Sequence, residues 1–245
     1  MRDDLLDAQA AIDWAVAQIP VLQDRFLKWQ QGRPYEIVME PDPKTGEQLV
    51  TARYNRIDPL ISVEIGTIVN AIRSSLDILA ATLAQRNGVK PTSKMHFPIH
   101  TLASDFLDPA KGIDSKKWLS QWERATIKSL RPYKGGDAII WTLHQLDIVR
   151  KHERLAAVTP NIESFFMSMH IPHGEADGGR MNDKTILRRF PSNTSTFLFT
   201  ENNSHLTGEI TLNEPALGLS NAPAIPTLRQ YAQRCADIIK LFDVP

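Results

Sequence analysis

The chain of 245 residues has a single cysteine, Cys235. An internal disulfide is therefore impossible, and a reducing compartment is expected. Cys235 falls in an apolar helical pattern, which assigns it to core filling rather than nucleophilic chemistry. An excess of one charge sign is equally lacking, since Lys plus Arg and Asp plus Glu are 28 each. Without a net field, neither general nucleic-acid binding nor attraction to an anionic membrane is expected. No stretch approaches the roughly 20 apolar residues of a membrane span. The N-terminal MRDDLLDAQA carries acids where a signal peptide carries a basic segment. A cytoplasmic protein is the expectation. GxSxG, HExxH, CxxC, P-loop and Rossmann glycine motifs are missing too, so no named hydrolase, redox or nucleotide mechanism follows.

What is present is ordinary globular composition, 42% hydrophobic and 23% charged, in a chain long enough for a substantial core. Leu5, Ala8, Ile12, Ala15, Ile19, Leu22, Phe26 and Trp29 alternate steps of three and four. That period suits a long helix laid along a neighbour, either within a bundle or across a dimer seam. Pro20 inside the run predicts a kink near Ala17–Pro20. Tyr35–Glu40 and Gln48–Tyr54 flank PDPKTG and read as a β-hairpin insertion. Helical periodicity returns from Asp58 to Asn87 with Ile61, Ile65, Ile68, Ile72, Leu76, Leu79 and Leu83 on one stripe. KPTSKMHFPIH reads as an extended linker. A helix follows from Asp114 or Ser115 to Pro132, and another, capped by Asp137, runs to about Val158.

Beyond Pro160 the alternation becomes strand-like over Phe165–Ile171, with further strands at Thr185–Phe190, Thr196–Thr200 and Leu206–Leu212. HGEADGGRMND reads as a loop, and Leu228, Tyr231, Cys235, Ile238, Ile239 and Phe242 mark a final amphipathic helix opened by Pro226. Helices and strands are segregated, which gives an α+β class rather than α/β. The expected organisation is a single domain over 1–245. Its helical core covers about 1–31, 58–158 and 226–243, and its β elements about 35–54 and 163–212.

Polar groups on the two most apolar helices mark the candidate site. Arg73 and Asp77 stand in NAIRSSLDILAATLA, and His144 and His152 in WTLHQLDIVRKHERLAAV. Charge beside a buried stripe needs a partner or a function. Gly66, Ala80, Ala84 and Asp77 fall near the direction of Arg73, so small residues would let another helix approach. His144 and His152 are about 80° apart on their helix, both flanking its apolar stripe. Asp147, Arg150, Lys151 and Arg154 fall towards an expected solvated face. Two readings stand for the four residues: an ion pair with satisfied histidines fixing helix register, or a groove that binds a small anion. In the second, Arg73 supplies charge and the histidines hydrogen bonds. An enzymatic variant makes His144 or His152 a general base and Asp77 its orienter or a metal ligand.

Metal binding needs three or more ligands at one point. His144 and His152 are two turns apart and do not chelate one ion, although His96 or His100 from the linker is a conceivable addition. His170, His173, Glu175 and Asp177 in HIPHGEAD offer a second cluster, with a polar loop as the alternative. Neither yields a metal assignment, and no cofactor is specified. RPYKGGD resembles a phosphate cradle, but Asp137 would already occupy the positive helix end. Self-association or a protein partner is the remaining partner class, through the first helix or exposed strands.

At RSSLDILAATLA, HFPI, LRPYKGG and WTLHQLDIVRKHERL the chain resembles a group of uncharacterised bacterial helical-bundle proteins over roughly Asp58–Val158. More distantly it is similar to HEPN-type proteins, which include RNA-cutting toxins, defence proteins and non-catalytic interaction modules. The resemblance implies a helical bundle and a stress or defence setting. The ribonuclease branch separates an arginine from a histidine by four to six residues. Here Arg150 precedes His152 by two positions, so no catalytic role is carried over.

Overall fold

The computed structural model describes residues 1–167, 180–181, 184–193 and 204–244. Six helices and seven strands occur among them. The fold is α+β, a helical bundle with a β-hairpin insertion and an antiparallel β appendage. Contacts divide the chain into two compact units.

The first unit comprises Met1–Asp24, Pro59–Ala157 and Leu212–Pro245. Its helices are α1 (Leu6–Gln31, shared with the second unit), α2 (Pro59–Arg86), α3 (Ala103–Leu107), α4 (Gln121–Leu130), α5 (Ala138–His152) and α6 (Ala224–Leu241). The 3.5-residue stripe of α1 is core: Leu5, Ala8, Ile12, Ala15, Ile19, Leu22 and Phe26 are all buried. Pro20 sits inside a continuous helix. On α2 the expected stripe from Ile61 to Leu83 is buried as well. This helix is long and apolar enough to cross a membrane by length and composition, contrary to the sequence reading, and most of its apolar window is packed inside.

Two helix limits differ from expectation. Ile113–Ser115 forms only a 3-10 turn, and α4 starts at Gln121. Ser120 Oγ accepts from the Glu123 backbone N–H at 3.2 Å while the Glu123 carboxylate accepts from Ser120 N–H at 2.6 Å. That reciprocal capping box fixes the start one turn beyond Trp118. At the other limit, α5 ends at His152 and Val158 opens a strand. The buried Glu214 carboxylate accepts from the Ala157 N–H at 2.8 Å and from both terminal nitrogens of Arg154. Those bonds hold the chain extended where continued helix was expected.

The second unit comprises Arg25–Asp58 and Val158–Thr211. Its strands are β1 (Tyr35–Pro41), β2 (Gln48–Tyr54), β3 (Val158–Met167), β4 (Arg180–Met181) and β5 (Lys184–Phe190), with β6 (Ser204–Glu214) leading out of it. One sheet has the order β1-β2-β5-β4, antiparallel throughout, with an irregularity between Val50 and Thr51. The PDPKTG turn closes through Asp42 and through Gly46, whose φ of +75° few side chains tolerate. A second sheet has the order β3-β6-β7, where β7 is Leu219–Pro223. Thr196–Thr200 and most of HGEADGGRMND lie outside the described residues.

Candidate functional site

The site is built where α2 meets α5. Small and polar residues on α2 recur at Gly66, Asn70, Arg73 and Asp77, one face of a helix. The α5 residues opposite them run the other way. The aliphatic stem of Arg150 lies against Gly66, where a Cβ would collide with its Cγ and Cδ. Asn70 Nδ2 donates to Asp147 Oδ1 at 3.2 Å, and Arg73 Nε donates to His144 Nδ1 at 3.2 Å. The two helices therefore pair antiparallel through a ladder of polar contacts.

Arg73 is 4% exposed and pairs with Asp77 through Nη1–Oδ1 at 2.7 Å. A guanidinium only donates, so Nδ1 of His144 is the acceptor and its ring proton resides on Nε2. Burial, reinforced by the Arg73 charge, lowers the His144 pKa to about 4. At neutral pH the ring is uncharged, with its Nδ1 lone pair engaged. Arg73 Nη2 and His144 Nε2–H have no hydrogen-bond partner among the described residues.

Asp77 also accepts from the Phe97 backbone N–H at 2.9 Å, which draws the HFPI segment onto α2. His96 joins through Nδ1, 3.3 Å from Asp77 Oδ2, with its side chain 62% exposed. Three of the four expected residues, Arg73, Asp77 and His144, thus come together, and His96 completes the set. His152 does not. It is exposed at the end of α5 and has no hydrogen bond or ion pair among the described residues. Its position in the last helical turn takes it past the packed seam, correcting the expectation that both imidazoles flank the core.

Sequence reasoning also misplaced Asp147. It is 3% exposed, not solvated, and accepts from Asn70, Arg150 Nη2 at 3.3 Å and Lys151 Nζ at 2.6 Å. The available signal was the Gly66 and Asn70 pair on α2, a close-approach position followed by a polar partner one turn later.

The other candidates resolve differently. His100 pairs its backbone with Pro132 and packs its ring edge-on to Phe106, centroids 5.8 Å apart, outside the cluster. Burial is the main cause that lowers its pKa. In RPYKGGD, Asp137 Oδ1 accepts from Ile140 N–H at 3.0 Å and Oδ2 from Arg234 Nε at 2.8 Å. A carboxylate therefore caps α5 where an anion would sit. A Cβ on Gly136 would strike the Arg131 carbonyl, so glycine there serves the tight loop. Among the described residues no three His, Cys, Asp or Glu side chains converge as metal ligands. His170, His173, Glu175 and Asp177 lie outside the described residues. Cys235 is buried and desolvation raises its thiol pKa to about 12, which leaves it unreactive.

Two grooves lie elsewhere on the first unit. One of about 150 Å³ runs between α1 and α2 and is lined by Trp14, Val21, Leu22 and Ile68 among others. The second, about 440 Å³, lies between α1 and α6. Comparison with protein-family models, curated proteins and solved structures gave no match to this chain.

Proposed function

We propose that the protein is a cytoplasmic binding or regulatory protein that recognises a small anionic ligand at the α2–α5 seam. The observation that carries this reading is the Arg73–His144 hydrogen bond. It fixes a buried guanidinium and a neutral imidazole so that each keeps an N–H uncommitted to acceptors among the described residues. Asp77 offsets the Arg73 charge, so selectivity rests on hydrogen-bond geometry more than on raw attraction. Native mass spectrometry of freshly purified protein, set against its denatured mass, tests the reading. A retained small acid that is lost in Arg73→Lys supports it. A bare native mass, together with no calorimetric heat on adding phosphate or acetate, contradicts it.

One observation favours an enzymatic second reading. Asp77 is held by Arg73 and Phe97 and in turn meets the exposed His96, the arrangement of an oriented general base. His144 is unsuited to that role because its acceptor nitrogen is engaged and its other nitrogen carries the proton. In this reading a nuclease-like hydrolase loses turnover of RNA in His96→Ala while keeping its melting temperature. Equal turnover in the variant contradicts it.

A further inference from the structure

Trp141 is 9% exposed, and its indole Nε1–H is sealed from solvent with no hydrogen-bond partner among the described residues. A buried donor left unpaired is costly, so an acceptor is expected for it. Trp141 and His144 are three residues apart on α5, which makes them neighbours on one helix face. His144 is in turn bonded to Arg73. The Lys134 ammonium stands over the Trp141 ring, 5.4 Å from its centroid. Lys134 comes from the loop before α5, is exposed, and forms no ion pair or hydrogen bond among the described residues.

The sequence of groups is then Lys134, Trp141, His144, Arg73 and Asp77. Two cations, one carboxylate and a neutral imidazole leave a formal excess of one positive charge. Three N–H groups in this run, Trp141 Nε1, His144 Nε2 and Arg73 Nη2, have no protein acceptor among the described residues. A neutral acceptor would answer those donors but not the excess charge, and a cation would answer neither. We propose that Trp141 Nε1–H is a ligand-binding donor, that Lys134, over the Trp141 ring, supplies counter-charge, and that the ligand they select is a small oxyanion. This rests on the small-anion reading above and extends it to two residues and a ligand class. Carboxylate and phosphate share the required chemistry, several acceptor oxygens carried on one negative group. Glycine-rich loop binding is not involved, because Asp137 caps α5.

The test is a pair of titrations of the full chain, labelled with nitrogen-15, using inorganic phosphate in one and acetate in the other. The Trp141 indole resonance is identified by its loss in Trp141→Phe, a variant that keeps an aromatic ring in the core. With one probe the Trp141 Nε1–H peak is expected to shift downfield and saturate, in step with the His144 ring resonances. Trp141→Phe should weaken that probe about tenfold, the factor corresponding to about 1.4 kcal/mol for a hydrogen bond to a charged group. Lys134→Ala should weaken it less, because its ammonium is solvated. Saturation at His144 with an unmoved Trp141 indole overturns the assignment of Trp141 and leaves the seam site standing. Shifts that grow without saturation, or none at all, overturn both.

Discussion

Arg73 Nε donates to His144 Nδ1 across the α2–α5 seam at 3.2 Å, joining a buried cation to a ring held neutral. The pairing sets the tautomer, the charge and the orientation of the imidazole together. It also has a consequence for stability. The folded state holds the His144 pKa at about 4, whereas an unfolded histidine titrates near 6.5. The contribution of neutral His144 is therefore complete above pH 6.5 and is lost progressively as pH falls towards 4. Its full size is on the order of 3 kcal/mol. Urea unfolding across this window should show a shallower acid loss in His144→Gln than in the native chain. Equal slopes would remove His144 from the linkage.

Asp147 anchors the same seam one turn further along. Removing its carboxylate in Asp147→Ala leaves Arg150, Lys151 and Asn70 without their common acceptor. Lys151 is 40% exposed and recovers hydration, which moderates the loss. The expected cost is about 2–3 kcal/mol in chemical denaturation. A change below about 0.5 kcal/mol, the size of an ordinary surface substitution, would show Asp147 to be dispensable to the fold.

Glu214 should be a second stability centre, remote from the ligand groups. Arg154 grips it with two bonds of 2.7 and 2.6 Å, and these help hold its pKa below the usual carboxylate range against the opposing effect of burial. Glu214→Ala also strands the Ala157 N–H at the start of β3. We expect a loss of about 2 kcal/mol and an unchanged response of His144 to phosphate. A changed response would couple the two places.

Gly112 closes the turn between α3 and the 3-10 segment. A Cβ there would come within 2.7 Å of the Asp105 and Asp108 carbonyl oxygens and closer still to that of Phe106. Backbone cannot yield as a flexible side chain does. Gly112→Ala should therefore lower the melting temperature by several degrees, corresponding to about 1–3 kcal/mol of overpacking. An unchanged melting temperature would mean that the loop relaxes freely.

The legible parts of the fold were those governed by strong periodicity. The α1 and α2 stripes, the β1–β2 hairpin and the C-terminal helix follow from spacing alone. The start of α4 was missed because Ser120 and Glu123 cap it reciprocally, and apolar periodicity does not register a cap. The end of α5 was missed because Glu214, distant in sequence, holds Arg154 and Ala157. At the site, Arg73, Asp77 and His144 stood out as polar residues on apolar faces. His96 was visible only as a possible linker ligand, since its approach to Asp77 depends on the Phe97 N–H. His152 misled because a helical wheel has no information on where packing stops along the axis.

The most direct measurement of the central claim is a long-range proton–nitrogen-15 spectrum of the histidine side chains, recorded with and without inorganic phosphate or acetate. His144 is expected to remain a neutral Nε2–H tautomer from neutral pH down towards 4. One of the two anions is expected to shift Nε2 saturably. A His144 that protonates near 6.5 and ignores both anions would contradict the claim.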